Sequence, residues 1–222
     1  MPEIIINGPE GRIESRFFPS QQPNAPLAMI LHPHPEHAGT MNNKVVYALY
    51  RCFTDMGFSA IRFNFRGVGK SEGKFDHGEG ELNDAATILD WLQHQNLNPS
   101  SYWIAGFSFG AWVAMQLLMR RPEFEGFIAV SPPADMYDFS FLAPCPVSGM
   151  IVHGDRDEIV PKTSVDTMLS KVQLQRGITL DYRTISGADH FYTGKINDLM
   201  RHTTDYLKKS LNKNQLPLAA NE

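Results

Sequence analysis

Cysteine is scarce: only Cys52 and Cys145 occur in 222 residues. Two cysteines cannot staple a small fold and these form no CxxC metal pair, so they read as buried thiols of a reducing compartment. A cationic surplus is missing too. Lysine and arginine total 20 against 24 aspartates and glutamates, a formal net charge of −4. Such a balance gives little grip on a phosphate backbone, which argues against nucleic acid as a partner. No apolar run approaches the roughly 18 residues of a bilayer span, and the N-terminus has no basic stretch leading into an apolar one. The reading is a cytoplasmic protein with neither membrane span nor signal peptide, and hence no membrane partner. Repeats, low-complexity tracts and internal linkers are also lacking. Residues 1–211 are therefore expected to form a single domain, and 212–222 a flexible polar tail.

What is present is a hydrophobic content of 42%, enough for a core, distributed in short alternating segments. A leading hairpin is expected from Ile4–Asn7 and Arg12–Phe18. Apolar runs at Leu27–His32, Ala60–Phe65, Tyr102–Phe107, Phe127–Ser131, Val147–His153 and Ile178–Ile185 read as strands. Asn42 or Asn43 could cap a helix running to about Met56, and helical spacing or flanking breakers mark Leu82–Gln95, Ala111–Arg120, Lys162–Val172 and Gly194–Leu211. Strand and helix alternation of this kind predicts an α/β fold, a mostly parallel central sheet with helices on both faces. Such sheets carry their chemistry at the carboxyl ends of strands.

After Tyr102–Phe107 the chain reads Gly106-Phe107-Ser108-Phe109-Gly110 and enters an apolar helix. G-x-S-x-G between strand and helix is a nucleophile elbow: the serine sits on a sharp turn, and neighbouring backbone passes too close for bulk two residues either side. A serine hydroxyl needs a base, and that base needs an acid to orient it. Asp157 follows the strand ending at His153, and His190 follows the strand ending at Ile185. The order Ser108, Asp157, His190 is the one this arrangement requires. Asp155 and Asp189 are rivals for the acid.

These segments resemble the alpha/beta-hydrolase superfamily over nearly the whole chain. The resemblance is carried by Leu31-His32-Pro33-His34-Pro35, Gly39 to Lys44, Asn64 to Ser71, the Ser108 elbow, His153 to Pro161 and Gly187-Ala188-Asp189-His190-Phe191. Within the superfamily the chain is similar to small cap-less bacterial hydrolases related to dienelactone hydrolases and serine peptidases. The resemblance implies Ser108 as nucleophile, Asp157 as acid, His190 as base, and no cofactor. Serine stands where dienelactone hydrolases carry cysteine, so their substrate does not transfer. Ala38 stands where a second glycine is expected before Gly39.

An oxyanion needs two donors. The Phe109 amide is one, and the loop after Leu27–His32 should supply the other. Pro33 and Pro35 have no amide hydrogen, which leaves His34 as the donor among residues 33–35. Two other readings fail. His32, His34 and His37 cluster, but no further metal ligand is evident. Asn64 to Ser71 ends in Gly69-Lys70-Ser71 like a phosphate-binding loop, yet an acidic, helix-breaking stretch follows where a helix must begin. The aromatics Phe107, Phe109, Phe139, Phe141, Phe191 and Tyr192 crowd the expected site, more than half of them as core.

Only residues 132–146 lie where caps usually enter, too few for a cap domain. The site should be open, unless 75–81 or another subunit covers it, so a homo-oligomer stays in play. The sequence thus points to a serine hydrolase acting on a small-molecule acyl substrate, with ester hydrolysis in front. A short-peptide serine peptidase, or a non-catalytic binding protein on the same fold, are the alternatives.

Overall fold

The computed structural model describes residues 3–173 and 176–215. Eight strands form one sheet: β1 Glu3–Gly8, β2 Gly11–Phe18, β3 Leu27–Leu31, β4 Ser59–Phe63, β5 Tyr102–Phe107, β6 Phe124–Val130, β7 Gly149–Gly154 and β8 Leu180–Ile185. The helices are α1 Lys44–Asp55, α2 Glu79–Gln95, α3 Phe109–Arg120, α4 Lys162–Val172 and α5 Ile196–Gln215. Spatial order is β1-β2-β4-β3-β5-β6-β7-β8. The β1–β2 hairpin is antiparallel and joins β4 antiparallel, while β4, β3 and β5 to β8 run parallel.

The central strands are apolar on both faces because both faces are covered. In β3, Ala28 and Ile30 pack into a core with α1 and α5, whereas Leu27, Met29 and Leu31 pack into a second core with α2, α3 and α4. All five of these residues are at most 1% exposed. That explains why β3 shows a continuous apolar run rather than alternation. The chain order reverses direction between β3 and β5, whose Leu31 and Gly106 are paired. The crevice beyond those two carboxyl ends is the natural place for a ligand in such a sheet. Residues 131–148, between β6 and β7, contain one short 3-10 turn at Ser140–Leu142 and no cap.

The three largest departures from the expected boundaries are at α2, β6 and α5. Helix α2 begins at Glu79 rather than Leu82, because its first turn is polar and invisible to apolar spacing. The Glu81 carboxylate fixes that turn by accepting from the N–H groups of Asp76 at 3.0 Å and Gly78 at 2.7 Å. Strand β6 starts earlier, at Phe124, where it pairs with Tyr102. Helix α5 runs to Gln215, past the expected end at Leu211, and 216–222 of the expected tail lie outside the described residues.

The loop between β4 and α2 is tied down by a buried ion pair. Arg66 and Asp84 side chains are 7% and 1% exposed and meet at 2.8 Å. The same carboxylate also accepts the Arg66 backbone N–H at 3.0 Å. The Lys70 ammonium rests on Glu3 at 2.6 Å, and no helix starts until Glu79, so the phosphate-loop reading has no structural counterpart. Removing one partner of a buried pair strands the other charge. Asp84→Ala should destabilise the protein by about 3–5 kcal/mol in equilibrium urea unfolding. A loss under about 1 kcal/mol, the range of exposed pairs, would contradict the burial of this contact.

Candidate active site

Ser108 sits between β5 and α3 with φ 53° and ψ −123°. That conformation is strained for a residue with a β-carbon. It is enforced by close approach on both sides. A β-carbon on Gly106 would collide with the Gly110 carbonyl, and one on Gly110 with the carbonyls of Leu31 and His32. The Ser108 amide is anchored to Val130 O at 2.9 Å, which locks the turn to the end of β6. Its hydroxyl stands at the head of α3, where the helix dipole favours negative charge.

The three expected side chains converge. His190 Nε2 lies 3.2 Å from Ser108 Oγ, and His190 Nδ1 lies 2.7 Å from Asp157 Oδ2. An ionised carboxylate only accepts, so the imidazole proton is on Nδ1 and the Nε2 lone pair faces the serine hydroxyl. The other Asp157 oxygen accepts from the N–H groups of Ile159 at 3.0 Å and Val160 at 2.8 Å. Burial pushes the Asp157 carboxyl up, but the bonds from His190 and Val160 and the nearby imidazoles outweigh it and hold the group below its ordinary value. Phe107 lies against the His190 ring, 5.0 Å between centroids.

The rival carboxylates are spent elsewhere. Asp155 Oδ1 accepts from Gly187 N–H at 2.6 Å and so ties the Asp157 loop to the His190 loop. Asp189 accepts from Thr193 N–H at 2.8 Å within its own turn. His153 is buried behind Asp157 and donates to Val160 O at 3.1 Å, which braces the same loop.

His34 follows β3 beside the elbow, with its ring 5.0 Å from the Phe109 ring. This places the expected oxyanion loop against the residue that carries the other expected donor. The loop is held by His32, which is fully buried. Its Nδ1–H donates to Pro33 O at 2.6 Å and its Nε2 accepts from Phe65 N–H at 3.0 Å. Both nitrogens are thereby committed to backbone, which leaves none for a metal. Among the described residues no group of three or more histidine, cysteine, aspartate or glutamate side chains could hold a metal ion.

Of the six aromatics expected here, Phe107, Phe109, Phe139 and Tyr192 are buried, Phe141 is half-buried, and only Phe191 is exposed. Tyr192 has a part that its position beside His190 does not reveal. Its hydroxyl meets Ser131 Oγ at 3.0 Å and donates to Val152 O at 3.3 Å, pinning the His190 loop to the ends of β6 and β7. Ser131 and Tyr192 share the positive φ of Ser108, at 44° and 53°. Nothing local in the sequence marks this pair, which is 61 residues apart.

Comparison with known proteins follows the same lines. A family described as X-Pro dipeptidyl-peptidase (S15 family) matches residues 15–177. An uncharacterized protein of Rickettsia prowazekii is 53% identical over 211 residues, covering 93% of this chain and 89% of that one. A crystal structure from Agrobacterium tumefaciens, of a protein of unknown function described as an alpha/beta hydrolase candidate, superposes with a TM-score of 0.94 at 52% identity. It covers 98% of this chain and 100% of its own. A serine hydrolase without a lid from Xanthomonas campestris superposes with a TM-score of 0.84 at 31% identity, over 99% of this chain and 96% of its own.

The buried His32 makes stability depend on pH. Burial lowers its pKa from 6.5 to about 3. Between those values the unfolded chain takes up a proton that the folded chain refuses, so stability is lost as pH falls through that window. The slope from this residue is about 1.4 kcal/mol per pH unit. Urea unfolding at pH 6.5 and pH 5 should show a smaller loss in His32→Gln than in the unsubstituted protein. An equal loss in both would mean that His32 is already protonated when folded.

Proposed function

Because the chain belongs to the family described as X-Pro dipeptidyl-peptidase (S15 family), within the lid-less alpha/beta serine hydrolases, we propose that it hydrolyses carboxylic esters through Ser108, His190 and Asp157. The observation that carries this reading is the two-bond relay from Asp157 through His190 to Ser108, at 2.7 Å and 3.2 Å.

In this mechanism Ser108 Oγ bonds to the substrate carbonyl carbon while its proton passes to His190 Nε2. Asp157 stabilises the resulting imidazolium and keeps it in register. The amides of His34 and Phe109 receive the tetrahedral oxyanion, and each such donor is typically worth about 3–4 kcal/mol of barrier. Collapse breaks the ester C–O bond, and the alcohol leaves with the proton from His190. Water then gives a proton to His190 and attacks the acyl-serine. Return of that proton to Ser108 releases the acid. No cofactor enters these steps.

An open site without a lid suits small or varied esters better than long apolar chains, and an alcohol leaves more readily than an amine. A second reading, a short-peptide serine peptidase, draws support from the description of the matching family. There the departing amine must be protonated by His190 before it can leave. We place the enzyme in the cytoplasm, in keeping with its two cysteines, Cys52 and Cys145, both buried. No helix among the described residues is long and apolar enough to cross a membrane.

Ser108→Ala should abolish labelling by a fluorophosphonate probe and ester turnover while circular dichroism stays unchanged. Undiminished labelling in that variant would refute the nucleophile. Asp157→Asn should lower kcat by roughly 10⁴-fold, whereas Asp155→Asn should retain far more of it. The two substrate readings separate on p-nitrophenyl esters beside aminoacyl and dipeptidyl p-nitroanilides. Faster amide than ester turnover would favour the peptidase. Failure to label or turn over anything would leave a binding protein.

A further inference from the structure

Phe109, the residue after the proposed nucleophile, is the hub of an arc of rings that the chemistry above does not use. Phe109 itself is only 1% exposed. Around it stand His34 at 5.0 Å, Trp112 and Tyr137 each at 5.7 Å, and Phe75 at 5.8 Å, centroid to centroid. All four surrounding side chains are half-buried. They come from four separate places: the loop after β3, the loop before α2, the first turn of α3, and the loop after β6. His34 lies 4.7 Å from Phe75, and Trp112 stacks on Tyr137 at 4.3 Å with 30° between planes. Gly78 lies directly against Trp112, where a β-carbon would run into the indole.

Two polar atoms in the arc have no hydrogen-bond partner among the described residues. His34 Nδ1 accepts from Glu36 N–H at 3.2 Å, which leaves the proton on Nε2. Neither that Nε2–H nor the Tyr137 hydroxyl makes a hydrogen bond among the described residues. The Trp112 N–H, by contrast, is used by Asp138 O at 3.1 Å. Half-open rings gain from another ring an attraction that a saturated group of equal area does not supply, because the negative face of one meets the positive edge of the other. Two unpaired polar atoms beside such faces can hold oxygen substituents in one orientation.

We propose that this arc is the specificity subsite of the enzyme and that its substrates are esters bearing an aromatic ring. The proposal rests on the hydrolase reading above. It assigns to His34 a side-chain contact with substrate, separate from the role given to its amide.

The test is binding to the Ser108→Ala protein, so that hydrolysis plays no part. Methyl phenylacetate is compared with methyl cyclohexylacetate, and benzyl acetate with cyclohexylmethyl acetate. The first pair places the ring on the acyl side and the second on the alcohol side. The aromatic member of at least one pair should bind roughly three- to tenfold more tightly and shift the Trp112 indole N–H resonance. The preference should fall to near one in Phe75→Leu and in Tyr137→Leu. Equal affinity within both pairs, or a preference that survives both substitutions in folded protein, overturns the proposal. Should either variant fail to fold, the ratio and the Trp112 signal of the Ser108→Ala protein decide alone. Failure of the hydrolase reading shows separately, as absent probe labelling of the unsubstituted protein.

Discussion

Everything at this site depends on one backbone constraint: the positive φ of Ser108, forced by contact between the two flanking glycines and neighbouring carbonyls. A residue with a β-carbon does not hold that conformation by preference. It is held because β5 must turn straight into α3 while β3 and its loop press against the turn. Gly110 faces the carbonyls of Leu31 and His32, so the elbow and the loop carrying His34 are one packed unit. The same contact that strains the serine therefore holds the loop carrying His34 against the head of α3.

The loops carrying Asp157 and His190 are fixed by a different device, hydrogen bonds that cross between strand ends. Ser108 N–H bonds to Val130 O, and Ser131 N–H bonds to Val152 O. Tyr192 then reaches from the His190 loop to both Ser131 and Val152, while Asp155 joins the Asp157 loop to Gly187. Each bond alone is worth about 1 kcal/mol. Together they hold four loops at the carboxyl edge of the sheet without a lid to cover them. Rigidity of this kind lets hydrogen-bond donors face developing charge without reorganising.

Two histidines that attract attention in the sequence belong to this framework rather than to the chemistry. His32 and His153 are fully buried, bonded to backbone, and have pKa values lowered by burial. Keeping an imidazole neutral in this way allows it to bridge two backbone segments, as His32 does between Pro33 and Phe65. The cost is acid sensitivity, since the unfolded chain gains protons that these sites exclude.

The sequence alone determined the parallel sheet, its helix alternation, the elbow at Ser108 and the strand ends after which Asp157 and His190 appear. These are legible because each is local: a period of apolar residues, two glycines at fixed offsets, a polar residue after an apolar run. Chain order did not separate Asp157 from Asp155 and Asp189; the resemblance favoured Asp157, and the structure shows which carboxylate meets the imidazole. Tertiary structure alone decided what depends on contact between distant segments. It turned Tyr192 inward and left Phe191 outside. It started α2 on a polar turn tied by Glu81, and it gathered His34, Phe75, Trp112 and Tyr137 around Phe109. Side chains of one chemical kind are equivalent in a sequence, and only the directions in which the packed backbone aims them make some core and others surface.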